Sequence, residues 1–311
     1  MKKVIITLSK IFVSITLFLL ILNNLDFSGT VELLKNMNVN FLSLVILIFV
    51  FQIFAASIRW IIVLNGLDIR LPYRSSLRYL WIGLFFNQAL PSSVGGDVLR
   101  GYYLHHNGNS LKESVAGVLL DRFFGIVGLI FLILFIVPNL LHMLDNTPAQ
   151  WSTVLVSAVI LILISIFLVL DILPLKFQKW NFLIGLYMMS FNARKLLFSI
   201  RPGIILILLS VIIHLLSIFA AIILSEGLEI KINWLGFFLI MPLVTIFMLI
   251  PISIAGWGVR EGVMVIGLGY LNVAPEQAMA LSILYGLSML AISLPGGVIW
   301  LFSSRPSINE I

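Results

Sequence analysis

Apolar positions along this chain run together and polar ones are sparse. Five stretches, Phe41–Leu64, Ser114–Val137, Trp151–Leu173, Gly203–Leu224 and Gln277–Phe302, are nearly unbroken. Each reaches the ~20 residues a helix needs to cross a hydrocarbon core. A sixth, about Val4–Leu22, follows Lys2 and Lys3. No small-residue cleavage site comes after it, only Asn23-Asn24-Leu25-Asp26, so it reads as a retained first helix with Lys10 snorkelling, and cleavage as a signal peptide is the weaker reading. Three apolar pieces are too short or broken for ordinary spans: Tyr79–Leu90, Trp234–Ile250 with Pro242 inside it, and Gly262–Leu271. Such segments are expected to be re-entrant or buried, because irregular backbone at membrane depth is tolerated only within protein or beside a water-filled cavity. The apolar runs do not alternate with period two, which excludes a transmembrane β-barrel.

Composition agrees with the pattern. Of 311 residues, 61% are hydrophobic and 10% charged, against about 25% charged in soluble domains; mean hydropathy is +1.15. A soluble enzyme, a disordered chain and a fibrous protein are thereby excluded. The chain has no cysteine, which removes disulfides, thiol catalysis and thiolate metal sites. The net charge of +6 raises nucleic acid as a partner, but the placement of the charges argues otherwise. With the N-terminus inside and Tyr79–Arg100 and Trp234–Leu271 dipping in and returning, only Lys35 and Lys231 face outward. Arg122 and Arg260 lie near membrane depth, and every other basic residue, Arg59 and Arg100 included, falls on the cytoplasmic side. This is the positive-inside distribution. It predicts a multi-pass protein of the inner (plasma) membrane with both termini cytoplasmic. The basic segment Pro174–Ile200 reads either as an interfacial amphipathic helix or as a plain basic loop.

Two stretches are alike, and read either as an internal repeat or as two unrelated helix-breaking loops. Pro91–Arg100 and Pro251–Arg260 both fit P-x-S-[VI]-x-G-x-x-x-R without a gap, and each follows a short apolar segment. In the topology above they enter from opposite sides, the sequence pointer to an inverted repeat with a binding site at the repeat interface. Pro91 and Pro251 end a helix, and Gly95, Gly96, Gly256 and Gly258 permit tight turns and close approach. Ser93 and Ser253 are placed to cap a new helix, whose free N–H groups suit an anion. The expected fold is all-α and integral to the membrane, with about six full spans, two re-entrant helical hairpins and an inverted repeat. It is one domain over 1–311, with repeat 1 at about 41–173, repeat 2 at about 203–303 and a basic cytoplasmic linker at 174–202.

Charges at membrane depth are costly and mark structure or function. Asp97, Arg100, Asp121, Arg122, Arg260 and Glu261 are the candidates. Asp121 and Arg122 project about 100° apart on a helix and are poorly placed to pair with each other. Partners for Asp121 are Arg100 or Arg260, and for Arg122 they are Asp97 or Glu261. The set reads either as clamps holding broken helices or as a site with an arginine offered to a ligand phosphate. His214, in mid-span, reads as a helix–helix hydrogen bond before a metal ligand. No G-x-S-x-G elbow, H-E-x-x-H or Walker loop occurs, so no catalytic residue, metal, cofactor or ATP drive is expected.

Three motifs in order carry a family likeness: L-P-S-S-V-G-G-D-V-L-R-G-Y at Leu90–Tyr102, A-G-V-L-L-D-R-F-F-G at Ala116–Gly125 and P-I-S-I-A-G-W-G-V-R-E-G at Pro251–Gly262. The late P-G-G-V-I-W at Pro295–Trp300 fits as well. The chain resembles the lysylphosphatidylglycerol synthase transmembrane region family, the flippase-like domain of MprF-type proteins, over nearly its whole length. The resemblance implies an inner-membrane protein that moves a lipid between leaflets, an aminoacyl-phospholipid or a polyprenyl-linked sugar. It implies Asp97, Arg100, Asp121, Arg122, Arg260 and Glu261 as the charged, substrate-binding positions. The chain ends at Ile311, so no soluble aminoacyltransferase domain is expected and the substrate stays open. The expected partner is a membrane phospholipid or polyprenyl lipid, with a homo-oligomer or envelope-synthesis enzymes as protein partners; nucleic acid is not one. The rivals are an integral-membrane transferase on a lipid phosphate, a scaffold of an envelope-synthesis complex, and an ion- or proton-coupled carrier of a small polar solute.

Overall fold

The computed structural model describes residues 27–90, 94–141, 148–172, 181–250, 253 and 255–303. The expected span Val4–Leu22 and the residues Pro91, Ser93 and Pro251 lie outside them. The described residues form helices and no strand. In chain order these are α1 (Phe27–Asn36), α2 (Val39–Asn65), α3 (Tyr73–Ala89), α4 (Gly95–His106), α5 (Leu111–Leu141) and α6 (Pro148–Val169), which closes in a 3-10 turn at Leu170–Ile172. There follow α7 (Asn181–Leu197), α8 (Ile200–Gly227), α9 (Leu235–Leu249), α10 (Val259–Gly269) and α11 (Pro275–Phe302).

Among the described residues, four helical stretches are long and apolar enough to cross a membrane: Val39–Asn65, Leu111–Ile136, Ile200–Gly227 and Pro275–Phe302. They match four of the five strongest expectations. The fifth expected span appears as α6 and its 3-10 turn, with Ala158–Ile172 as a shorter apolar stretch. Local sequence explains where helices begin. The α5 helix opens on a reciprocal capping box, in which the Ser110 Oγ accepts from the Glu113 N–H (3.2 Å) and the Glu113 carboxylate accepts from the Ser110 N–H (3.0 Å). Pro275 stands in the first turn of α11, where its missing N–H costs nothing.

The described chain divides into two compact units. Unit 1 is Met1–Ile53, Arg78–Leu99 and Leu215–Ile311; unit 2 is Phe54–Leu77 and Arg100–His214. In unit 1, α10 packs on both α9 and α11, and α1 packs on α11. Both repeated motifs interrupt helices here and turn the chain back. Gly96, at the start of α4, lies so close to the Gly83 carbonyl of α3 that a Cβ would overlap it, and its N–H donates to Asn87 Oδ1 (2.8 Å). On the second motif, Ala255, Gly256 and Gly258 all take positive φ (51°, 80° and 85°), and α10 returns against α9, with Gly267 fitted to Ile240. The four helices so paired have 17, 12, 15 and 11 residues, each short of the ~20 a span requires.

In unit 2, α5 packs on α6 and α7. Val63, Leu120, Phe124, Ala193, Leu196 and Leu206 form its apolar core. The segment read as helix or loop resolves in part: Asn181–Leu197 is helical.

Candidate functional site

Among the described residues, buried charge gathers around Asp121 in unit 2 and around Glu261 in unit 1, and a further buried acid, Asp171 of unit 2, is paired with Arg194. In unit 2, α5 carries Asp121 to the interior, where its side chain is 2% exposed. Two guanidinium groups reach it. Arg59 Nε donates to Oδ1 and Arg100 Nη2 donates to Oδ2, both at 2.8 Å. A helical Asp121 is short and rigid, so each oxygen is aimed at a different element, α2 on one side and α4 on the other. Arg59 also donates from Nη1 to Ser210 Oγ of α8 (3.2 Å). Gly125 leaves room for this: a Cβ there would stand 3.4 Å from Arg59 Nη1. The Arg100 guanidinium lies over the Trp60 ring, 4.3 Å from its centroid, a cation–π contact strengthened by burial. Trp60 is itself tethered by Nε1–H to the Gly117 carbonyl (3.3 Å). The three charged residues, Arg59, Asp121 and Arg100, sum to a formal +1.

In unit 1 the arrangement is balanced. Glu261, fully buried in the first turn of α10, accepts at Oε2 from the Gly258 N–H (2.5 Å). At Oε1 it accepts from Arg260 Nη2 (2.5 Å), Arg260 Nε (3.1 Å) and Ser282 Oγ (3.1 Å). Arg260 is 1% exposed and its guanidinium stacks on Trp257, 4.5 Å from the ring centroid. Gly286, one turn beyond Ser282 on α11, admits that guanidinium; a Cβ at this position would overlap it. One cation and one anion cancel, and each carboxylate oxygen is hydrogen-bonded.

These geometries sort the sequence expectations. Asp121 pairs with Arg100, one of the two partners weighed for it, and additionally with Arg59. Arg59 is a correction: counted among cytoplasmic loop charges, it is a buried residue inside α2 that faces a carboxylate. Its signal was present as a lone charge within an apolar run, beside Trp60. Glu261 is taken by its own neighbour Arg260 rather than by Arg122. The free N–H at the second motif, expected to meet an anion, is also corrected: the Gly258 N–H is capped by Glu261, a carboxylate of the same turn. Asp97 sits half-buried in the first turn of α4, where its charge complements the helix dipole. Arg122 is half-buried one position beyond Asp121. Gly95 and Gly96 open α4, while Ser253, Gly256 and Gly258 lie between α9 and α10, and Ser253 is buried. His214 donates from Nε2 to the Gly125 carbonyl of α5 at 2.9 Å, a helix–helix hydrogen bond. In the sequence nothing local distinguishes Ser210, Ser282 and Gly286; they gain a role where α8 and α11 lie against the arginines. Among the described residues no group of three or more His, Cys, Asp or Glu is placed to hold a metal ion.

Comparison with known proteins decides the family. The profile for the lysylphosphatidylglycerol synthase TM region matches residues 7–297. The chain belongs to that family. A UPF0104 membrane protein of Pyrococcus horikoshii is similar to it, 25% identical over 158 residues, which cover 50% of this chain and 46% of that protein. The match therefore spans about half the length of the curated relative. All three motifs that carry the likeness fall within the matched residues of this lysylphosphatidylglycerol synthase TM region protein, as do Arg59, Asp121, Arg260 and Glu261. A membrane location and a lipid-related role follow from membership together with the long apolar helices.

Proposed function

We propose that this protein moves a lipid with a phosphate-bearing head group between the leaflets of the plasma membrane, with both termini cytoplasmic and the α3–α4 and α9–α10 pairs as re-entrant hairpins. The observation that carries the reading is the convergence of Arg59 and Arg100 on the single carboxylate of Asp121. Arginine forks match phosphate oxygens as well as carboxylate oxygens. Asp121 then serves as the resident anion, and an incoming phosphate competes with it for the two forks while the acyl chains stay in the bilayer. The Arg59 and Arg100 side chains are 10% and 5% exposed, so this arrangement corresponds to an occluded state that opens to admit lipid. Asp97 and Arg122 belong to the same proposal as residues that tune the field. The Arg260–Glu261 pair is assigned to holding the α10 turn in place; it does not bind substrate. The lipid is an aminoacyl-phospholipid or a polyprenyl-linked sugar, and no catalytic step or cofactor is assigned.

The test is reconstitution with fluorescent phosphatidylglycerol and measurement of quencher access from outside. Transfer lost in folded Arg59→Gln and Arg100→Gln proteins supports the reading; transfer at the wild-type rate in both overturns it. A second reading, a non-transporting scaffold for envelope synthesis, is favoured by one observation: Arg59, Arg100, Arg260, Asp121 and Glu261 are all engaged in ion pairs. No transfer of any lipid by the wild-type protein would favour it.

A further inference from the structure

The α7 helix has one side fixed to the protein and the other bare. On the inner side Ser190, Ala193 and Leu196 are buried, and Ala193 and Leu196 join Leu120 and Phe124 in the core. Its rotation is set by Asp171 at the end of α6, which accepts from Ser190 Oγ (3.2 Å) and forms an ion pair with Arg194. The Asp171 N–H donates in return to Ser190 Oγ (3.2 Å). Held this way, α7 turns Ile184, Met188, Phe191 and Lys195 outward at alternate steps of four, three and four. Phe198 continues the row past the helix end. Met188 is 58% and Phe198 72% exposed, too much apolar surface to leave in water without purpose.

The occupant of that face follows from length, position and charge. At 17 residues the helix is about 26 Å long, and it carries Asn192, Arg194 and Lys195; it does not span a ~30 Å hydrocarbon core. Its end passes through Ser199 directly into α8, which is long enough to cross, so this end lies at a membrane face. Arg194, Lys195 and Arg201 gather there, and residues 181–203 contain no acidic residue. Apolar anchors in line with basic side chains fit the boundary between acyl chains and anionic head groups.

We propose that α7 is a membrane-surface helix that docks into the head-group region of an anionic leaflet. Ile184, Met188, Phe191 and Phe198 enter the acyl boundary, while Lys195 and Arg201 meet lipid phosphates. This does not depend on transport.

The cysteine-free chain permits single labels in the full protein. Met188→Cys and, separately, Ile184→Cys carry a fluorophore, with Ile162→Cys, exposed on the apolar stretch of α6, as a reference. The proteins are reconstituted in vesicles of phosphatidylcholine alone or with one quarter phosphatidylglycerol. The expected result is stronger quenching by head-group-labelled lipid than by lipid labelled deep in the chain, the reverse of Ile162→Cys. Phosphatidylglycerol increases that shallow quenching, and Lys195→Gln with Arg201→Gln removes the increase. Quenching as deep as at Ile162, quenching only by aqueous iodide, or cross-linking of Met188→Cys to a second copy without lipid quenching each overturns the proposal.

Discussion

The two buried charge clusters look alike in composition and differ in arithmetic. Around Glu261 there is one guanidinium for one carboxylate, with both oxygens further held by Gly258 and Ser282. Around Asp121 there are two guanidiniums for one carboxylate, each engaging a different oxygen. A balanced pair has no electrostatic reason to accept another ion. A shared acid between two bases has one, since a phosphate can take over either fork. Both clusters are buried, so burial does not distinguish them; what differs is that Asp121 is shared by two arginines and Glu261 is held by one. The backbone setting agrees. Glu261 caps the turn in which it stands, a local job, whereas Asp121 on α5 links α2, 62 residues away at Arg59, with α4, 21 residues away at Arg100.

The comparison predicts asymmetric costs of substitution. Asp121→Asn has the largest expected effect, because it leaves two guanidiniums facing each other in a dry interior. A loss of at least about 3–5 kcal/mol, the usual cost of breaking a buried pair, is expected in thermal or denaturant unfolding in detergent. Glu261→Gln comes next at about 3–5 kcal/mol, and Arg260→Met with Glu261→Gln recovers much of it, since the double variant removes both charges together and leaves no unpaired buried ion. Recovery failing in the double variant would mean that the clamp does more than neutralise itself. Arg59→Gln and Arg100→Gln are expected to cost less, about 1.5–3 kcal/mol, because Asp121 keeps one partner; equal losses for acid and base in this cluster would erase the proposed distinction. Gly286→Ala, which crowds the Arg260 guanidinium, is expected to cost about 1–3 kcal/mol. Ser282→Ala, which removes one of several donors to Glu261, is expected to cost about 0.6 kcal/mol, a shift of a degree or two in the same melt.

Much of the architecture could be read from the chain because membrane helices announce themselves locally. Four apolar runs became four long helices, Gly95 and Gly96 open a short helix, and Ala255, Gly256 and Gly258 take positive φ just before another. The pairing of charges was less legible. Arg59 and Asp121 are 62 residues apart, and no local pattern encodes that meeting. Arg59 stands near the end of its apolar run, and sorting charges by membrane side does not reveal that it is buried inside α2. The angular argument that separates neighbours such as Asp121 and Arg122 does not hold for Arg260 and Glu261. There both side chains are long, and the arginine curls back over the first turn of α10. Gly286 and Ser282 gain meaning only once α11 lies against that turn; in the sequence they are ordinary small residues of an apolar helix.

The most direct measurement is lipid transfer by two variants of matched stability, Arg59→Gln and the Arg260→Met, Glu261→Gln double variant, in vesicles carrying fluorescent phosphatidylglycerol. The account predicts transfer lost in the first and kept near the wild-type rate in the second. Transfer retained by Arg59→Gln and lost in the clamp variant would contradict it, and would move the site to the turn of α10.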